Sequence, residues 1–132
     1  MRSIQLVGLA TLLLFAGCQS EQAQRPFLVP ADPAAVLDGY LQALKTGDCT
    51  FARALATQEF GDDHFCGEAL RVTDFRVMPN PSRPNASELV FALTLWTVGG
   101  DDTMLDGSHT WFFQLKRQAD DRWLVSGGGS GP

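Results

Sequence analysis

Three side chains in this sequence have the chemistry of acid–base work: Asp74, His109 and Tyr40. A carboxylate or an imidazole held in apolar surroundings can take a proton, and a phenol opposite can donate one. Tyr40 is the single tyrosine of the chain, while Asp74 and His109 fall on stretches that read as strands. None of the three belongs to a catalytic motif. The expectation is therefore a domain that binds without catalysing, with a lyase or isomerase acting through these residues as the alternative.

Metal chemistry is expected even less. Cys49, His64, Cys66 and His109 can be written as four zinc ligands, but their spacing matches no ligand pattern, and exported thiols oxidise. Asp101, Asp102 and Asp106-Gly107 lack the alternating ligands and terminal Glu of a calcium loop, and read instead as a solvated hairpin loop. The glycines from Gly127 onward are followed by no Lys-Ser/Thr and no helix, so they are not a phosphate cradle. No metal and no cofactor are expected. A formal charge of −5, with ten scattered Lys and Arg, also argues against nucleic acid as a partner.

The elements that would position these residues are legible in order. Asp32-Pro33 is a helix start, Asp as N-cap and Pro where its missing N–H costs nothing. Val36, Leu37, Tyr40, Leu41 and Leu44 then form one apolar stripe, and Gly47 closes the helix. A second helix restarts at Asp48 or Thr50 with Phe51, Ala52, Leu55 and Ala56 on its apolar face, and Phe60-Gly61 ends it. Asp62 to Ala69 reads as a short helix or turn. From Leu70 the period becomes two, predicting strands over 72–78, 87–98, 109–117 and 122–126.

The strand from Ser87 to Val98 organises the rest. Leu89, Phe91, Leu93 and Leu95 fall on one face and Val90, Ala92, Trp96 and Val98 on the other, so both faces are apolar. A four-residue turn at Gln118 to Asp121 would place Trp111, Phe113, Leu115 and Leu124 on one face and Phe112, Trp123 and Val125 on the other. The glycine tail from Gly127 is expected to fray. The fold class is α+β, with N-terminal helices packed on a curved antiparallel four-stranded sheet.

The amino terminus sets the compartment. Arg2 followed by the apolar run Ile4 to Ala16 reads as a secretory signal, too short to span a bilayer. Leu14-Phe15-Ala16-Gly17-Cys18 resembles the lipobox of bacterial lipoproteins, which implies lipidation of Cys18 after cleavage. Residues 1–17 are then the signal peptide, 18–31 a flexible tether and 32–132 the domain. A diacylated Cys holds a protein stably to a membrane. The expected location is the extracytoplasmic face of a bacterial cell membrane, with the lipid on Cys18 as membrane partner. Once lipid takes Cys18, Cys49 and Cys66 are left as a pair, expected to form a disulfide worth about 3 kcal/mol by loop closure.

The run Val36 to Asp48, with Tyr40 inside it and Gly47-Asp48 at its end, resembles the opening helix of the NTF2-like superfamily, the cystatin-like cone. Trp111-Phe112-Phe113-Gln114-Leu115-Lys116 and Arg122-Trp123-Leu124-Val125 resemble that fold's last two strands. The whole is similar to actinobacterial NTF2-like lipoproteins. The resemblance implies a pocket between the first helix and the concave sheet face, which Tyr40, Phe91, Trp111 and Phe113 could line around a small apolar ligand; the simpler reading of aromatics at core periodicity is that they fill the core. It also implies that the opposite face, with Phe112, Trp123 and Val125, pairs subunits in a homodimer or meets an envelope protein. Enzymes of the superfamily resembling ketosteroid isomerase or dehydratases would set a base such as Asp74 or His109 in the cone.

Overall fold

A computed structural model describes residues 28–61, 64–66, 69–81 and 85–131. The signal segment, Cys18 and the tether as far as residue 27 lie outside these residues. Helix α1 spans Pro33–Thr46 and starts as its sequence dictates, with the Asp32 carboxylate accepting from the Ala35 amide at 3.0 Å. Its end is a left-handed cap: Gly47 has φ 76, its N–H bonds Leu44 O, and the Asp48 N–H bonds Ala43 O. Two orphan carbonyls are satisfied by a residue that pays no Cβ penalty there. Asp48 then caps the next helix, α2 (Cys49–Ala54), accepting from the Phe51 amide at 3.0 Å. One Gly-Asp pair thus ends one helix and begins another. The turn is tight enough that a Cβ on Gly39 would stand 3.1 Å from Leu55, so the missing side chain lets α1 pack closely on the end of α2.

A single 3-10 turn, His64–Cys66, precedes four strands: β1 (Arg71–Val77), β2 (Glu88–Val98), β3 (Gly107–Arg117) and β4 (Trp123–Gly129). They form one antiparallel sheet in the order β1-β2-β3-β4. The helices lie on one face, and the coarse class is α+β. The β2–β3 register pairs Leu89 with Leu115, Phe91 with Phe113 and Leu93 with Trp111. Apart from Leu89, which is half-buried against them, these residues make the buried core together with the α1 stripe, Leu55 and Phe65. The tether's last residues join it too: Val29 packs against the core, while Leu28 is exposed.

The hairpin between β3 and β4 departs from expectation. The Gln118 N–H bonds Arg122 O at 2.7 Å and the Asp121 N–H bonds Gln118 O at 3.0 Å, leaving a three-residue loop with Asp121 at φ 66. An odd loop shifts the pairing by one, so Arg117 faces Trp123 and Leu115 faces Val125. Val125 is fully buried and Trp123 packs against the core, while Leu124 falls with Lys116 on the other face. Of the three residues expected on the outer face, only Phe112 is there. A bulge at Ser126 then restores Gly127 opposite Gln114, and β4 runs on through Gly129 where fraying was expected. The edge of β4 is held at Val125, whose N–H bonds Leu55 O and whose carbonyl accepts from Thr57.

Candidate functional site

The residues expected to share a site are dispersed. Asp74 pairs in register with Trp96, and His109 with Leu95, so the pleat sends the two toward opposite faces of the sheet. Lys45 Nζ lies 3.2 Å from the Asp74 carboxylate at the exposed sheet edge. The backbone N–H of Phe75, and then Lys45, hold the Asp74 carboxyl below the usual carboxylate range. A base needs the opposite shift. Because the folded value is depressed, the stabilisation tied to this charge is present above the ordinary Asp value of about 4 and is lost as pH falls through the folded value. Replacing Lys45 with Ala should move the Asp74 titration back toward that ordinary value when followed by carbonyl-carbon NMR; an unmoved titration would assign the shift to Phe75 alone.

His109 has a structural task. Its Nε2 stands 2.6 Å from Leu105 O, and since a carbonyl only accepts, that nitrogen carries the proton. Thr97 Oγ1 donates to the same carbonyl at 3.3 Å, and Met104 beside it is buried in the core. The acidic loop is closed by its own carboxylates. Asp101 accepts from the Thr103 amide at 2.8 Å and its hydroxyl at 2.6 Å, and Asp106 accepts from the Gly100 amide at 3.0 Å. Among the described residues no cluster of ligating side chains could hold a metal.

Tyr40, Phe91, Trp111 and Phe113, expected to line an interior pocket, are all nine-tenths or more buried. Tyr40 and Phe113 meet edge to face at 5.5 Å, Phe60 packs on Phe113 at 6.2 Å, and Phe65 packs on Trp111 at 5.4 Å. The rings fill the space between α1 and the sheet with one another. Two depressions among the described residues lie elsewhere and open to solvent.

One lies beyond the end of α1, about 560 Å³, lined among others by Leu44, Lys45, Cys49, Phe65, Cys66 and Arg71. It brings Cys49 and Cys66 to one place. Both are half-buried. The second is a trough of about 260 Å³ on the outer face of the sheet, lined by Glu88, Val90, Phe112, Gln114, Gly127 to Gly129 and Gly131. Three successive glycines make its floor. A Cβ on Gly128 would stand 2.9 Å from the Phe113 ring and from Trp111 Nε1, so this glycine lets the core rings press against the strand. Gly127 and Gly129 point the other way, and their missing side chains leave the trough open above the sheet.

Among the described residues no helix covers this outer face. Val90, Ala92 and Phe112 are half-exposed there and Trp96 is 37% exposed. The sequence signal for the trough was the glycine run itself, which reads as a tail until the bulge at Ser126 is known.

No family model matches the chain, and no curated protein does either. Among solved structures, it is similar to RPA3114, a SEC-C motif containing protein from Rhodopseudomonas palustris. The chain shares that protein's fold. The TM-score is 0.59 at 21% identity, over 77% of this chain and 80% of the other. This corrects the expected NTF2-like cone. The aromatic spacing that could have lined a pocket belongs to a filled core. No described helix is long and apolar enough to cross a membrane.

Proposed function

We propose that this chain is a lipid-anchored domain on the extracytoplasmic face of a bacterial membrane that works by binding, through the outer face of its sheet. The observation that carries the binding reading is the trough bounded by Glu88, Gln114 and Phe112, on a face that no helix among the described residues covers. A sheet face with half-exposed Val90, Ala92, Phe112 and Trp96 is an apolar surface of the kind that marks an interaction site. The occupants this surface suits are a small ligand, an envelope protein or a second copy of the chain. The location rests on the signal-like segment and the Leu14 to Cys18 run. In that oxidising setting Cys49 and Cys66, which line one depression, would join as a disulfide.

Cell fractionation tests the anchor. The Cys18→Ser chain should leave the membrane fraction almost entirely, since neither acyl chain can be attached. Retention of most of the protein in membranes would replace the lipid with some other means of attachment.

A further inference from the structure

The trough has a polar wall that a purely apolar binding surface leaves unexplained. Glu88 stands directly across from Lys116 in the β2–β3 register, where opposite charges ordinarily pair. Its carboxylate instead accepts the hydrogen bond of the Gln114 side-chain amide, two residues before Lys116 on β3 and on the trough. The ion pairs among the described residues are Lys45–Asp74, Arg117–Asp121 and Arg122–Asp120, so none of them neutralises Glu88. Because the Gln114 nitrogen donates to Glu88, the amide oxygen is left as an acceptor, and it lies on the side of Gly127, 3.3 Å from where a Cβ there would stand. Two acceptors, one of them charged, therefore border a space floored by glycine and walled by Phe112 and Val90.

That arrangement is complementary to a cation with several donors and a flat apolar body. The volume, about 260 Å³, is at the small end of ligand sites. An ammonium carries three donors and no acceptor, so it suits Glu88 and the Gln114 oxygen, whereas an anion would meet the carboxylate. An aromatic wall adds attraction for the same charge.

We propose that the trough binds a small primary ammonium, its N–H groups donating to the Glu88 carboxylate and the Gln114 amide oxygen, its apolar body lying over Gly127 to Gly129 against Phe112 and Val90. The inference rests on the outer face being the binding surface. It is tested by titrating the full chain in detergent micelles at pH 7 with benzylamine, benzyl alcohol and benzoate, following the amide resonances of Gly127, Gly128 and Gly129 and the Gln114 side-chain NH₂. Benzylamine should shift these saturably, benzyl alcohol should bind at least about ten-fold more weakly, and benzoate should not bind. Glu88→Gln, nearly isosteric, should weaken benzylamine about ten-fold or more and leave benzyl alcohol unchanged. Gly129→Val should abolish binding while preserving the fold, since a Cβ there has only Gly131 O at 3.7 Å nearby. If benzyl alcohol matches benzylamine, or if Glu88→Gln binds benzylamine as the parent does, the ammonium class is overturned and the outer-face reading stands. If none of the three probes moves the trough resonances, the ammonium proposal and the small-ligand form of the outer-face reading are both overturned.

Discussion

Phe113→Ala should cost the domain about 3–5 kcal/mol, a large share of the typical net stability of a domain this size. Phe113 is fully buried and stands where Tyr40, Phe60 and Phe65 converge, at 5.5, 6.2 and 6.1 Å between ring centres. Its strand neighbour across β2 is Phe91, itself buried, and the backbone of Gly128 presses on it from β4. Removing the ring leaves a void that the sheet cannot close, because a ladder holds the position on both sides. Urea unfolding measures the loss. Phe112→Ala is the control: one residue along, half-exposed on the outer face, it should cost about 1 kcal/mol or less. Equal losses at the two positions would contradict the assignment of the faces.

Val125→Asp should prevent folding altogether. Val125 is fully buried, is paired with Leu115, and has both backbone groups bonded to the segment that leaves α2. A carboxylate there enters the buried apolar cluster and would cost several kcal/mol, whether it stays charged or takes up a proton. The same change at Phe112 should leave a folded chain, because the added charge meets water. Circular dichroism of the two purified variants separates these outcomes. A folded Val125→Asp chain would return Val125 to the outer face and restore the even hairpin loop.

Much of the fold was legible because local chemistry and global packing agree. Asp32-Pro33 and Gly47-Asp48 are caps with one natural geometry, and the α1 stripe is the buried stripe observed. The alternation of β2 correctly placed Leu89, Phe91, Leu93 and Leu95 toward the helices. The faces of β4 were not legible, because a loop of three residues and one of four look alike in Gln118-Ala119-Asp120-Asp121-Arg122. The choice is made by Asp121 entering the left-handed region, which Asp tolerates better than most residues. The β2–β3 loop also hid its contribution, since nothing in its composition marks Met104 as core or His109 as the clasp on Leu105.

Aromatic residues at core spacing fit a lined pocket as well as a filled core, with the filled core the simpler reading, and only their mutual distances decide. The ring contacts favour the filled core. The trough was missed because a glycine run at the end of a chain carries no periodicity, and its role depends on which strand lies beside it. Once Gly127 and Gly129 are paired with Gln114 and Phe112, the missing side chains become the floor of a site.

The central claim is that the rings of Tyr40, Phe60, Phe65, Trp111 and Phe113 fill the space among themselves beneath α1, and that a ligand is taken on the outer face of the sheet. Xenon, which enters dry apolar cavities of sufficient size, tests it most directly. NMR spectra of the chain under xenon pressure should show no saturable shift at Tyr40, Phe91, Trp111 or Phe113. A saturable shift at those rings would reveal an interior cavity and return the binding site to the helix side of the sheet.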